Sequence, residues 1–312
     1  MNPSAFLKTF FAPQPLARLA FLRILIPLAI LGFLSSRLSQ PAEWLTTKGF
    51  QVPDLGRPDW RQPIYIPPLP LWGAVLVCLA TVVSGACLSI GFRTRAAAGA
   101  FAGCLVFLAL SDRLAAFTVS KLGAVLALAL LFTPSGDAWS LDAWRLRRLE
   151  GSAADSTDGS AAGAVPPAAT SWGNVRFFQV LLVVFYMASG LAKLRGDWLH
   201  EHHVLWSHLH DTYQTGASYL ILKALPYSAW AVLQVLVLVF ETGAPLWFAL
   251  PLTRYPALWI GFGMHVFIGL CFGPVIWFAL LMLILLAGCY APLPWLERLG
   301  DAFGKPPEPL EP

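Results

Sequence analysis

Eight long apolar blocks, parted by short basic stretches, decide what this chain can become. They are Leu16–Leu34, Leu69–Phe92, Ala96–Leu110, Leu114–Thr133, Phe177–Leu194, Ser228–Leu252, Tyr255–Phe272 and Val275–Ala291. A helix needs ~20 mainly apolar residues to cross the hydrocarbon of a bilayer. It can do so because every backbone N–H and C=O is paired inside its own segment. The chain has 312 residues, 57% hydrophobic and only 12% charged, with a mean hydropathy of +0.65. A soluble domain carries ~25% charged residues. This excludes a soluble enzyme, a nucleic-acid-binding domain and a disordered chain. The expected fold is all-α: a polytopic membrane helix bundle of about eight transmembrane helices.

The first block follows Lys8 and carries Arg18 and Arg23 in its opening turns, and Ser35-Ser36-Arg37 follows it with no small-x-small cleavage site. It reads as a retained membrane helix. The densest basic clusters, Arg93-Thr94-Arg95 and Arg145-Leu146-Arg147-Arg148, fall on the same side as the N-terminus. Lysine and arginine favour the cytoplasmic face. The expectation is a multi-pass plasma (bacterial inner) membrane protein with both termini cytoplasmic. Of the 13 tryptophans, Trp44, Trp60, Trp72, Trp139, Trp144, Trp198, Trp206 and Trp295 lie near block ends or in the flanking loops, as the headgroup layer favours. The five cysteines lie inside apolar blocks without a CxxC pair, so they read as buried free thiols.

Residues 1–150 form a first four-helix half, ending in Ser140–Glu150 (SLDAWRLRRLE). That segment reads as a short interfacial helix, with Ser140 or Asp142 as its N-cap. Residues 151–172 are rich in Ala, Gly, Ser and Pro and read as a flexible linker. Residues 173–297 form the second four-helix half, and 298–312 a disordered tail.

Ionisable groups in hydrocarbon cost ~2.5–3.5 kcal/mol on insertion scales and so point to sites. In the fifth block Gln179, Tyr186, Gly190 and Lys193 recur at spacings of seven, four and three, on one helical face. A desolvated lysine can act as base or nucleophile; a lysine near a helix end can also snorkel to the headgroups. The sixth block carries Gln234 and Glu241, and the seventh carries His265 between Gly261 and Gly269. Lys121 sits on the fourth block beside Thr118. Counting ~1.5 Å per residue from the block ends puts Lys193 shallow, His265 near the midplane and Glu241 roughly 20 Å from the outside. A Glu241–His265 contact is then expected, and a direct Lys193–Glu241 pair is not. His200, His202, His203, His208 and His210 crowd one loop with Glu201 and Asp211. No standard metal-ligand spacing is met, so no metal is assigned. The rival reading is an interfacial helix with Leu199, Leu205, Trp206 and Leu209 facing lipid.

The stretch Gln179–Trp198 (QVLLVVFYMASGLAKLRGDW) resembles the core motif of the HTTM superfamily, which includes the membrane domain of vitamin K-dependent gamma-carboxylase. Its stations here are Gln179, Tyr186, Gly190, Lys193, Leu194, Asp197 and Trp198. Weaker stations are Arg23, Gly91–Arg95, Trp139–Asp142, Glu241 with Pro245, His265 and Phe278–Pro292. In the carboxylase the matching lysine is regarded as the base that works with vitamin K hydroquinone. The resemblance implies Lys193 as a catalytic base. The polar positions add Glu241 and His265 as catalytic candidates that orient or relay protons deeper down, and Gln179, Tyr186, Lys121 and Trp198 as candidate substrate-binding residues. Where the carboxylase has an Asn-His pair this chain has Phe117-Thr118-Val119-Ser120-Lys121, and where the carboxylase has a large lumenal domain about twenty residues follow the last block here. Two readings follow. One is an intramembrane enzyme acting on a lipid or quinol in the outer leaflet. The other, suggested by small relatives that mature a secreted peptide toxin, is a non-enzymatic partner of a secreted peptide. No cofactor is named by the sequence.

Overall fold

The computed structural model describes residues 14–49, 64, 66–111, 118–154, 169–170, 173–201, 203–210 and 214–304. The chain forms two compact units: residues 1–175 with 292–312, and residues 176–291.

In the first unit α1 (Ala17–Leu38) packs against α3 (Leu71–Ile90) and α5 (Thr118–Leu131), and α4 (Thr94–Ser111) packs against α3 and α5. The short α2 (Pro41–Leu45) lies on α3. Helix α3 shows what solvent the fold is built for. Its buried face holds Gly73, Ala74, Cys78, Thr81, Ser84 and Gly85, whereas Val75, Leu76, Leu79, Val82 and Val83 are exposed. Small and polar inside, branched and apolar outside, is the pattern of helices that pack in lipid. The buried hydroxyls are satisfied within the helix: Thr81 Oγ1 donates to the Val77 carbonyl at 2.7 Å and Ser84 Oγ to that of Ala80 at 2.6 Å.

A polar knot closes one end of this unit. Helix α3 ends at Gly91, whose φ is +70°, with the Phe92 N–H on the Cys87 carbonyl at 2.9 Å. This is a left-handed helix stop of the kind glycine supplies. Asp142 then accepts from the N–H groups of Arg93 (2.9 Å) and Thr94 (2.8 Å) and from the Thr94 hydroxyl (2.8 Å). It therefore caps α4, placing a carboxylate at the positive end of that helix. Ser140 caps α6 (Leu141–Ala154) instead, accepting from the Ala143 N–H at 2.9 Å. Arg23 is fully buried, donates from Nη2 to the Trp139 carbonyl at 2.6 Å, and fills the space beside Gly91 that a Cβ would take. Helix α13 (Leu293–Gly304) packs on α1.

Burial by itself would raise the Asp142 carboxyl. The hydrogen bonds from Thr94 and Arg93, with the nearby Arg145 charge, outweigh it and hold the group below its ordinary value. A depressed folded value means stability that is present above the unfolded-chain value of about 3.9 and lost as pH falls through the folded one. Asp142→Asn keeps a cap oxygen but loses the charge at the start of α4, and is expected to cost about 0.5 kcal/mol at pH 7. In thermal unfolding the gap between the two proteins should close as the pH is taken below that of a free carboxylate.

In the second unit α7 (Gly173–Arg195, from Arg176 onward), α10 (Tyr227–Ala249), α11 (Pro251–Cys271) and α12 (Ile276–Tyr290) are the long helices. Helix α11 packs on α10 and α12. Two short helices, α8 (Val204–Leu209) and α9 (Gly216–Ala224), join α7 to α10.

One helix thus stands at each predicted block, though the first residues of the fourth block, 114–117, lie outside the described ones. Among the described residues, six helices are long and apolar enough to cross a membrane: those at Ala17–Leu38, Leu71–Ile90, Thr94–Ser111, Val175–Arg195, Tyr227–Ala249 and Gly273–Tyr290. Helix α5 is apolar but shorter. The fold is an all-α, multi-pass membrane bundle, with one two-residue strand pair, β1 (Gln14–Pro15) with β2 (Ala169–Thr170). Of the linker read at 151–172, residues 151–154 continue α6 and 169–170 form β2; the others lie outside the described residues. The tail read from residue 298 begins inside α13, and 305–312 lie outside the described residues.

Candidate functional site

The polar stripe of α7 faces its own unit. Near the start of the helix, Gln179 accepts from Arg176 Nη1 at 2.9 Å and donates from Nε2 to the Cys289 carbonyl of α12 at 2.8 Å. Two turns on, Tyr186 is buried and its hydroxyl lies 2.9 Å from His265 Nε2. Then comes Gly190, where an added Cβ would stand 2.8 Å from the Thr242 backbone nitrogen and 3.1 Å from the Glu241 carbonyl carbon. Only a residue without a side chain lets α7 and α10 approach so closely.

One turn beyond Gly190, Lys193 Nζ donates to Glu241 Oε2 at 2.6 Å and to Ser189 Oγ at 2.7 Å. This corrects the depth count, which kept Lys193 and Glu241 apart. The count assumed that α7 ends and α10 begins in one plane. Gln234, seven residues into α10, instead bonds the main chain just past the end of α7: its Nε2 donates to the carbonyls of Trp198 (2.8 Å) and Glu201 (2.7 Å). Helix α10 therefore overshoots α7 by about two turns. Side-chain direction closes the remaining gap. Side chains lean toward the N-terminus of their helix, so on these antiparallel helices Lys193 and Glu241 lean toward each other.

The Lys193 side chain is 21% exposed and that of Glu241 8%. The Trp198 ring lies over the ammonium, with Nζ 5.2 Å from its centroid, a cation–π contact. Deeper in, His265 is bonded to Tyr186 rather than to Glu241. Aromatic rings enclose this second pair: Phe240 edge-on to Tyr186 (5.3 Å), Phe248 stacked on it (6.1 Å) and Phe278 edge-on to His265 (5.8 Å). His265 Nδ1 is buried with no hydrogen-bond partner among the described residues.

Sequence reasoning missed Ser189 as a ligand of the ammonium, although its place four residues before Lys193 on the same face could have flagged it. It also missed the rings around Tyr186, which come from α10 and α12 and share no local pattern with α7. The histidine-rich loop is corrected too. Leu205 and Leu209 do not face lipid; both are buried, in a cluster with Trp230 and Cys271. They turn inward because Gln234 Oε1 accepts from the Leu205 N–H at 3.1 Å and anchors α8 onto α10. His208 and His210 direct Nδ1 to the carbonyls of Val204 and Trp206, and His203 lies 3.4 Å from Glu201. His202 and Asp211 lie outside the described residues. Gln234→Leu removes three bonds to this segment at once. Limited proteolysis should cut between Trp198 and His210 at least tenfold faster in that variant, while cleavage elsewhere stays unchanged.

Lys121 is exposed on α5, in the first unit. The structure thus brings Lys193, Glu241 and Trp198 together at one point of the second unit. It brings Tyr186 and His265 together at another, and it sets Gln179 on α12.

No curated protein and no solved structure matches the chain. A family model, the HTTM domain, matches residues 11–292, which include both units' spanning helices and every residue of the polar stripe. With six helices among the described residues long and apolar enough to cross a membrane, and that match over most of its length, the chain belongs to the HTTM family of integral membrane proteins.

Proposed function

We propose that the protein is an intramembrane enzyme in which Lys193 works on a lipid or quinol entering from the outer leaflet. One observation supports this above the others: an ion pair of 2.6 Å, Lys193 with Glu241, sits within spanning helices while a fifth of the lysine side chain stays accessible. Charges in such a place are costly and mark function by default.

The chemistry follows from the pair. Glu241 takes one proton from Lys193, and the freed amine takes the proton of a ligand hydroxyl. The ligand oxygen is left ionised next to the new ammonium. Trp198 covers the ammonium and limits water. Tyr186 and His265 are the next proton-carrying groups inward, and Gln179 fixes α7 against α12 below them.

The test is native mass spectrometry of the protein in nanodiscs of membrane lipid, wild type beside Lys193→Met. The expected result is a quinone-sized or lipid mass held by the wild type and reduced at least tenfold in the variant. Equal retention by both forms overturns the reading. A ligand-free wild type that crosslinks to a secreted peptide favours the second reading, a membrane partner in peptide maturation.

A further inference from the structure

Five exposed arginines, Arg93, Arg95, Arg145, Arg147 and Arg148, stand on α6, the α3–α4 turn and the first turn of α4, and the proposed reaction uses none of them. We infer that this face of the first unit binds the headgroups of anionic phospholipids in the bilayer that its helices cross.

The height of the surface is fixed by bonds. The Asp142 N–H donates to the Gly91 carbonyl at 3.0 Å, and its carboxylate holds the Arg93 and Thr94 N–H groups. Helix α6 therefore starts where α3 ends and α4 begins, at the membrane boundary. Its outward residues are mixed. Trp144 is 48% exposed, Leu146 59% and Leu149 69%, among three exposed arginines. At 3.6 residues per turn, Trp144, Arg148, Arg145, Leu149 and Leu146 succeed one another around more than half of the helix. Water suits the arginines and not the leucines. The headgroup layer suits both, with leucines at the acyl boundary, tryptophan among the headgroups and arginines on phosphates.

The guanidinium groups are presented for that use. Arg145 stacks over Phe92 with its guanidinium carbon 4.9 Å from the ring centroid, and Arg148 over Trp144 at 4.1 Å. Stacking occupies the faces of the fork and leaves its N–H edges free for phosphate oxygens, which accept them in pairs. Among the described residues the carboxylates facing the patch are few. Asp142 is committed to capping α4, though Arg145 acts on it through space, and Asp137 is exposed nearby. The excess positive charge selects an anionic headgroup over phosphatidylcholine, whose own cation cancels its phosphate.

This inference is independent of Lys193, and so is its test. The full-length protein in neutral detergent is given equal amounts of phosphatidylglycerol and phosphatidylcholine, and bound lipids are read by native mass spectrometry. Wild type is expected to retain phosphatidylglycerol in preference. Arg145→Gln, Arg147→Gln and Arg148→Gln should each cut that preference about fivefold, and the triple variant about a hundredfold. The triple lysine variant keeps the charge and should keep most of the preference. Arg147 stacks on no ring among the described contacts, so Arg147→Gln alone carries the test if the triple variant fails to fold. Equal retention of the two lipids by wild type, or an unchanged preference in the glutamine variants, overturns the inference. So does an acidic peptide that displaces the lipid, since a protein would then be the occupant.

Discussion

Exchange of Lys193 for methionine should destabilise the protein by about 3–5 kcal/mol, the usual cost of removing one partner from a buried pair. Glu241 keeps only 8% of its side chain exposed and would be left without its counter-charge. The companion is Lys193→Met with Glu241→Leu. Two apolar side chains replace two charges there, and such exchanges are often neutral or stabilising. Reversible unfolding in mixed micelles should show the double variant recovering most of what the single variant loses. A double variant as weak as the sum of the singles would mean that the two residues act apart.

Gly91→Ala is the other change expected to have a large effect. At φ +70° an L-residue pays roughly 1–2 kcal/mol. The new methyl would also collide with Arg23 Nη1 and Ser140 Cβ. Neither neighbour can step aside freely. Arg23 is fully buried and tied to Trp139, and Ser140 caps α6. A total of about 3 kcal/mol or more is expected from strain and overpacking together. Arg23→Met removes the clashing nitrogen but leaves the Trp139 carbonyl unpaired, so the pair of changes should cost less than the sum of each alone. An unfolding midpoint for Gly91→Ala equal to that of wild type would mean the knot is looser than its geometry.

The eight helices were legible because apolar length is a property of a single stretch of chain. The inward turn of the α7 stripe was legible for a related reason, since one helix supplies the whole period. What the sequence hid was relative height. Residue counting gives depth along one helix, and nothing local says that α10 begins two turns beyond the end of α7. Gln234 sets that offset, through bonds to residues 29 to 36 positions away. The caps show the same limit. Both Ser140 and Asp142 are good cap residues, but only the fold shows that Asp142 serves α4, 48 and 49 residues back. Leu205 and Leu209 carry the pattern of a lipid-facing helix and are buried instead, because a neighbouring glutamine turns them inward.

The central claim is that Lys193 moves a proton and does more than hold Glu241. Arginine in its place tests this directly. It keeps the positive charge and can pair with Glu241, yet it does not give up its proton in a protein. The measurement is rescue of a gene deletion in the host by Lys193→Arg, beside its unfolding midpoint in detergent. The account predicts a midpoint near that of wild type and no rescue. Full rescue by the arginine protein would contradict it and leave the pair a structural tie.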